Sequence, residues 1–263
     1  METDLSPSAY DAFAPFYDAF TAGSDYDKWT RQVLVAGERH GLTGDSLLDL
    51  ACGTGKSFLP LLRRGFRVTA CDSSRAMLAL AAAKAPDAEL VHADLRELPV
   101  LGSFDLVVSF DDSLNYLLDR DELLCCFRGI AANLAPHGLA VFDLNTLRAY
   151  RTTFARDGVT EHYGTVFAWR GESTPGIAPG ETAAARIDIF APTGADAYRR
   201  VTTRHEQRHF PRGEVVELLR AAGLECVAVY GALDDGRLVE PADECAHLKV
   251  VYIARHAKGG GGE

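Results

Sequence analysis

A chain of 263 residues is long enough for one large α/β domain with a modest appendage and too short for two full-sized domains. Acidic residues outnumber basic ones, 37 to 27, and the formal charge of −10 repels polyphosphate at long range, which argues against a nucleic-acid substrate. With 47% hydrophobic and 24% charged residues, and no apolar run near the roughly eighteen residues that span a bilayer, the composition predicts a soluble globular protein with no membrane partner.

In chain order, Met1-Glu2-Thr3-Asp4-Leu5-Ser6-Pro7 is acidic and lacks the features of a secretory signal, so a cytoplasmic location is expected. Residues 10–20 are dense in aromatics, and Asp25-Tyr26-Asp27-Lys28-Trp29 leads into a helix to about residue 40. Aromatic faces can attract a cation or simply pack one helix on another, and both readings stay open for each ring. The apolar run 46–50 predicts a buried strand, 51–55 a tight turn and 56–64 the first helix of a doubly wound sheet. A second strand, 66–71, ends at Asp72, and a helix over 73–85 follows, with Ser73-Ser74 at its N-terminus. Strands are predicted at 90–94, 104–110 and 138–144, with an amphipathic helix at 120–134. From 159 to 210 the periodicity changes to alternation over 163–169, 185–190 and 198–210, broken by Gly/Pro-rich links, which predicts an antiparallel insertion. A helix at 212–222 closed by Gly223, a hairpin-like strand pair at 224–230 and 248–254, and a disordered tail at 258–263 complete the chain.

The most informative stretch is Leu47-Leu48-Asp49-Leu50-Ala51-Cys52-Gly53-Thr54-Gly55 together with Asp72 at the end of the next strand. Small residues let a ligand approach the backbone, and a carboxylate at the end of the neighbouring strand can accept hydrogen bonds from both hydroxyls of a ribose. Three ligands compete for this pattern. A dinucleotide site wants a third glycine, where Lys56-Ser57-Phe58 stands instead. Gly55-Lys56-Ser57 imitates the end of a phosphate-binding loop, but Leu50 occupies the position of that motif's first glycine. S-adenosylmethionine has a ribose to hold and no phosphate, which suits an acidic crevice.

The run Asp49 to Gly55, Asp72 with Ser73 and Met77, Ala93-Asp94-Leu95, and Phe104-Asp105-Leu106-Val107-Val108 together resemble the four motifs of the class I S-adenosylmethionine-dependent methyltransferases. Asp112-Ser113-Leu114-Asn115-Tyr116-Leu117 and Val141-Phe142-Asp143-Leu144-Asn145-Thr146 are similar to the small-molecule branch that includes bacterial aminosugar N-methyltransferases and glycine N-methyltransferase-like enzymes. The chain departs from many members at Ala51, where glycine is usual, so the turn is expected to avoid positive φ there.

The resemblance implies a Rossmann-like, doubly wound, seven-stranded sheet with its last strand antiparallel, formed by residues 41–158 and 211–257. It further implies a helical lid over residues 1–40 and a homodimer; the insertion at 159–210, whose alternation buries one face and which leaves the carboxyl edge of the crevice after the fifth strand, is expected to roof the acceptor pocket or to supply the dimer surface. The implied cofactor contacts are Tyr17, Tyr26 and Trp29 from the lid; Asp49, Ala51, Gly53 and Gly55 from the first turn; Asp72, Ser73 and Met77 from the second. To these it adds Ala93, Asp94 and Leu95, then Phe110 and Asn115 after the fourth strand. Asp94 can accept from an adenine amino group or cap the turn that follows it, and Met77 can be an adenine platform or plain core. Methyl transfer from a sulfonium needs chiefly positioning and desolvation, with a base where the acceptor must lose a proton. Candidates for that base are Tyr17, Asp111 and His209, with Asp112 beside them; the two aspartates can equally stay solvated or cap the next turn.

The implied activity is N-methylation of a small molecule, an aminosugar or other secondary metabolite; O-methylation and a non-catalytic cofactor-binding role remain open. The six cysteines show no C-x-x-C spacing and read as reduced core residues. No metal centre is expected, because His205 and His209 fall on a predicted strand, where four residues span about 13 Å.

Overall fold

The computed structural model describes residues 7–194 and 196–257; the predicted disordered tail lies outside them. Two helices open the chain, α1 (Pro7–Phe20) and α2 (Tyr26–Arg39). Asp25 starts α2 by accepting from the Lys28 amide at 2.9 Å, supplying a partner to one of the donors a helix start leaves free. Strand β1 (Ser46–Leu50) is followed by a long turn and a four-residue helix, α3 (Leu59–Leu62). The helix expected over 56–64 is therefore much shorter: residues 53–58 form turns, and Pro60 sits in the first turn of α3, where its missing N–H costs nothing.

Strand β2 (Arg67–Asp72), helix α4 (Arg75–Lys84) and strand β3 (Glu89–His92) continue the winding, with the Ser74 hydroxyl accepting from the Met77 amide at 3.1 Å to begin α4. Next come β4 (Phe104–Ser109), α5 (Arg120–Asn133), β5 (Leu134–Asn145) and α6 (Leu147–Thr152). The insertion contributes β6 (Asp157–His162), β7 (Thr165–Gly171), β8 (Thr182–Pro192) and β9 (Tyr198–Arg208). The chain closes with α7 (Arg212–Ala221), β10 (Leu224–Ala232), β11 (Leu238–Val239) and β12 (Lys249–His256).

The main sheet runs β11-β10-β12-β5-β4-β1-β2-β3, parallel from β5 to β3, with β12 antiparallel to β5 and to β10. It has eight strands rather than seven among the described residues, because two-residue β11 adds an edge to β10. Successive residues of β1 point to opposite faces, so Leu47 joins Leu106 and Val108 in one core layer while Leu48 and Leu50 join Val107 in the other. Residues Val33, Leu61 and Ala81 cover the first layer; Phe127, Ile130 and Leu218 cover the second. The chain winds outward from β1 to β3 and then returns to β4 on the other side of β1. That reversal opens a crevice at the carboxyl ends of the strands.

The insertion is a separate antiparallel sheet, β6-β7-β8-β9. It has one strand more than the alternation predicted, since β6 is almost wholly exposed and carries no inside-outside pattern. Its inner face, Phe167, Ile187 and Ile189, packs on Phe13 and Phe16 of α1, so α1 and the insertion share one small core. Of the cysteines, Cys52, Cys71 and Cys126 are buried, whereas Cys125 and Cys245 are exposed and are not core residues.

Candidate active site

The turn after β1 is built for close approach. Gly53 (φ 54°) and Gly55 (φ 85°) take left-handed backbone, and a Cβ on Gly55 would stand 2.8 Å from the Phe58 ring. Ala51 also takes φ 55°, contrary to the expectation that alanine would keep the turn out of that region. The conformation costs an L-residue roughly 1–2 kcal/mol and is held here by the parallel pairing of Leu50 with Cys71 and by the Cys52 amide donating to the Cys71 carbonyl at 2.9 Å.

Asp72 lies opposite. One carboxylate oxygen accepts from the Gly53 amide and the other from the Ser74 amide, both at 2.8 Å, so the side chain is fixed while each oxygen keeps a free lone pair. Burial raises its pKa despite those two amides. Asp72 borders a cavity of about 1150 Å³ including its open mouth. Ala51, Gly53, Ser73 and Met77 line it from one side, Ala93, Asp94 and Leu95 from another, and Tyr17 from α1. Asp94 also caps the short turn after it, accepting from the Arg96 amide at 2.8 Å, so both of its expected roles are geometrically available. The lining suits a nucleoside: a fixed carboxylate at the end of β2 that can accept from ribose hydroxyls, and a bare glycine whose absent Cβ would meet only the Tyr17 ring, at 3.7 Å.

A second cavity, of about 940 Å³ with its mouth, adjoins the first. Tyr10, Tyr17, Asp111, Tyr116 and His205 line both and form the wall between them. His205, on β9, is buried with Nδ1 3.0 Å from the Tyr116 hydroxyl and Nε2 3.0 Å from that of Thr203; burial lowers its pKa to about 4, so the ring is neutral at pH 7. Asp111 and Asp112 both have left-handed backbone (φ 56° and 51°), held by the Asp143 carboxylate, which accepts both their amides at 2.9 and 2.7 Å. Lys249 Nζ lies 2.7 Å from Asp112, 3.3 Å from Asp143 and 3.7 Å from Asp111. Burial alone would lower the lysine pKa, but the three carboxylates outweigh it and hold the group charged. Burial pushes Asp143 up to about 6 against the pull of Lys249.

Several predicted site residues lie elsewhere. Tyr26 donates its hydroxyl to Asp111 and supports the wall from behind. Trp29 packs edge-on against Phe110, 6.2 Å between centroids, so both belong to the packing under α2. Asn115 is fully buried, donating to the Arg208 carbonyl and accepting from the Asn145 amide; it ties core to insertion. His209, expected as a base, lies outside the lining of both cavities: it packs on Tyr150, accepts from the Gly180 amide at 3.3 Å and faces Glu244. Gly55 and Asp49 lie beneath the first turn, Asp49 accepting from the Ser57 hydroxyl while its other oxygen has no partner. The sequence reading missed Tyr10, His205, Gln207 and Lys249 as cavity residues. Lys249 left one signal, a lone charge at the head of an apolar strand.

Burial raises Asp49 to about 7, partly opposed by Ser57. Between about pH 4 and 7 the folded protein therefore keeps a proton that the unfolded chain has lost, and this group's contribution to stability falls as pH rises through that window. Buried neutral His205 acts oppositely between about pH 4 and 6.5. Subtracting the Asp49→Asn variant's urea-derived stability from the wild type's cancels the histidine. That difference is expected to decline from pH 5 to about 7 and to level off above it, whereas a difference flat from pH 5 to 7 would mean Asp49 is already ionised there.

A doubly wound sheet with a crevice at its strand ends, a fixed carboxylate facing it and a second cavity through one shared wall is the arrangement expected of a group-transfer enzyme with a nucleoside cofactor. Residues 47–138 match the family described as a methyltransferase domain. The chain is 32% identical over 195 residues to the cypemycin N-terminal methyltransferase of a Streptomyces species, covering 73% of this chain and 77% of that one. It is 29% identical over 208 residues to dTDP-3-amino-3,6-dideoxy-alpha-D-glucopyranose N,N-dimethyltransferase of Streptomyces fradiae, covering 77% and 78%. A crystal structure of an S-adenosylmethionine-dependent methyltransferase from Clostridium acetobutylicum shares the fold with a TM-score of 0.78, at 24% identity over 95% of this chain and 99% of that one. The chain belongs to the class I S-adenosylmethionine-dependent methyltransferases.

Proposed function

We propose that this methyltransferase acts on the amine nitrogen of a small molecule of the aminosugar kind. The observation that carries this reading is the second cavity, which meets the cofactor cavity at one wall and is lined by aromatic rings with two carboxylates, Asp111 and Asp112. Aromatic faces and carboxylates both favour an ammonium group over a neutral hydroxyl. The N,N-dimethyltransferase from Streptomyces fradiae, whose own acceptor is a dTDP-linked amino sugar, supports N-methylation of an amino sugar but not the form in which the sugar arrives.

In this assignment Asp72 takes the ribose hydroxyls, Gly53 and Ala51 pass close to the cofactor, and Met77, Ala93, Asp94 and Leu95 surround adenine. When bound, S-adenosylmethionine supplies an electrophilic methyl group. Tyr10, Tyr17 and Tyr116 form the ring through which donor and acceptor face each other, and Asp111 receives the proton that the ammonium must lose before its lone pair is free. The inner face of the insertion, through Trp169, Ile187, His205 and Gln207, roofs the acceptor.

Transfer of labelled methyl from S-adenosylmethionine across paired panels of amines and their hydroxyl isosteres tests this. Turnover of amines with none of the matched alcohols is expected; alcohol turnover exceeding amine turnover would make the enzyme an O-methyltransferase.

A further inference from the structure

We infer that the acceptor is a cationic amine that carries no phosphate or carboxylate group: a free amine or glycoside, and not a nucleotide-linked sugar. The inference rests on the reading of the second cavity as the acceptor site. What narrows the class is the charge inventory of its walls. Among the described lining residues the only permanently charged cation is Lys249, against the carboxylates of Asp111 and Asp112, with Asp143 directly behind. The lysine has three N–H donors and three carboxylates within 4 Å, so none of its charge is left for an incoming anion. His205, the one imidazole in the lining, is committed at both nitrogens to Tyr116 and Thr203.

The other described basic side chains at or beside the cavities also have partners: Lys56 donates to the Thr21 carbonyl and hydroxyl and lies over the Tyr26 ring, and Arg96, at the first cavity, pairs with Asp94 and Glu122. Helix α6 and Thr153, which caps its C-terminus with helical backbone, present Ala149 and Thr153 to the cavity, four residues apart on one face. Arg148 and Arg151 therefore fall on other faces, where they donate to the carbonyls of Ala246 and Ile177. Arg204, at the first cavity, is paired with Glu172 at 2.8 Å and Glu206 at 2.9 Å. A diphosphate brings two negative charges that proteins meet with arginine forks, lysines or helix-start amides, and bringing it against unbalanced carboxylates is repulsive. The rest of the lining, including Phe13, Phe20, Phe154 and Trp169, offers ring faces to an apolar or hydroxylated body. This assigns specificity partly by exclusion: the carboxylates attract the ammonium and reject acceptors that also bear an anion.

The test compares kcat/KM for three groups of amines with the full-length enzyme: anion-free amines such as methyl 3-amino-3-deoxyhexosides and aminoglycosides, amino acids, and dTDP-linked amino sugars. The anion-free group is expected to exceed both the amino acids and the dTDP-linked form of the same sugar by about tenfold or more, a gap that narrows between 0.05 and 0.5 M salt as charge is screened; amino acids turned over as fast as their decarboxylated amines would overturn the exclusion of carboxylates. Asp112→Asn, which releases Lys249 from its nearest partner, is expected to narrow the gap further by raising the relative rate on the dTDP-linked sugar. Equal or faster turnover of the dTDP-linked sugar by the wild type overturns this inference and leaves N-methylation standing. Failure to methylate any amine overturns both.

Discussion

Replacing Asp72 with alanine is expected to weaken S-adenosylmethionine binding at least about a hundredfold, by calorimetry. On the proposed placement the carboxylate accepts from two ribose hydroxyls, each charge-assisted bond contributes about 1.5–3 kcal/mol, and every 1.4 kcal/mol is a factor of ten. The loss should lie near the top of that range because the side chain is already immobilised by the Gly53 and Ser74 amides and gives up little freedom on binding. The substitution also strips those two amides of their acceptor, so a lower Tm is expected alongside the weaker binding. Asp72→Asn separates the effects: its amide oxygen can still accept one N–H, but its NH₂ faces the other donor, so affinity should fall almost as far while stability is partly kept. S-adenosylhomocysteine should lose affinity in parallel, since it has the same ribose. An unchanged dissociation constant in a folded variant would put the ribose elsewhere in the crevice.

The central sheet was legible because β1, β2 and β4 are buried on both faces and must be short apolar runs, while the intervening helices carry their own start signals at Ser74 and Asp119. What escaped was structure without a hydrophobic reason to exist. Strand β6 is exposed along almost its whole length and survives only by pairing with β7, and β11 is two residues hung on the edge of β10. The helix after the first turn was overestimated because Leu59, Leu61 and Leu62 look helical in sequence, whereas the backbone ahead of them is committed to the turn.

The first cavity was legible for a topological reason. Parallel pairing sets Leu50 beside Cys71 and Asp72 beside His92, so the residues following each strand end meet at one edge without any long-range guess. The second cavity depends on chain segments as far apart as residues 10 and 249: Tyr10 from α1, Tyr116 from the core, His205 and Gln207 from the insertion, Lys249 from the last strand. Strand β9 carries polar residues on both faces, so nothing in Arg204-His205-Glu206-Gln207 announces that the histidine and glutamine point inward; burial of Ile187 and Ile189 on neighbouring β8 decides it. His209 keeps that parity but lies past the end of β9 and turns away, which leaves it outside the lining of both cavities.

Asp111→Asn is expected to lower kcat/KM by about a hundredfold at pH 7, in the range that a positioned general base contributes. The substitution is nearly isosteric, and asparagine is among the residues most tolerant of the left-handed backbone found at this position, so the fold should survive. The amide can still accept from Tyr26, but it can no longer take a proton. Two readouts distinguish proton acceptance from a structural role. Cofactor affinity should change far less than turnover, because Asp72 and the first turn are untouched. The deficit should also shrink as pH rises toward the acceptor amine's own pKa, since the free base then arrives without needing the carboxylate; if the variant and wild-type pH profiles run parallel instead, Asp111 only shapes the wall and the proton leaves directly to water.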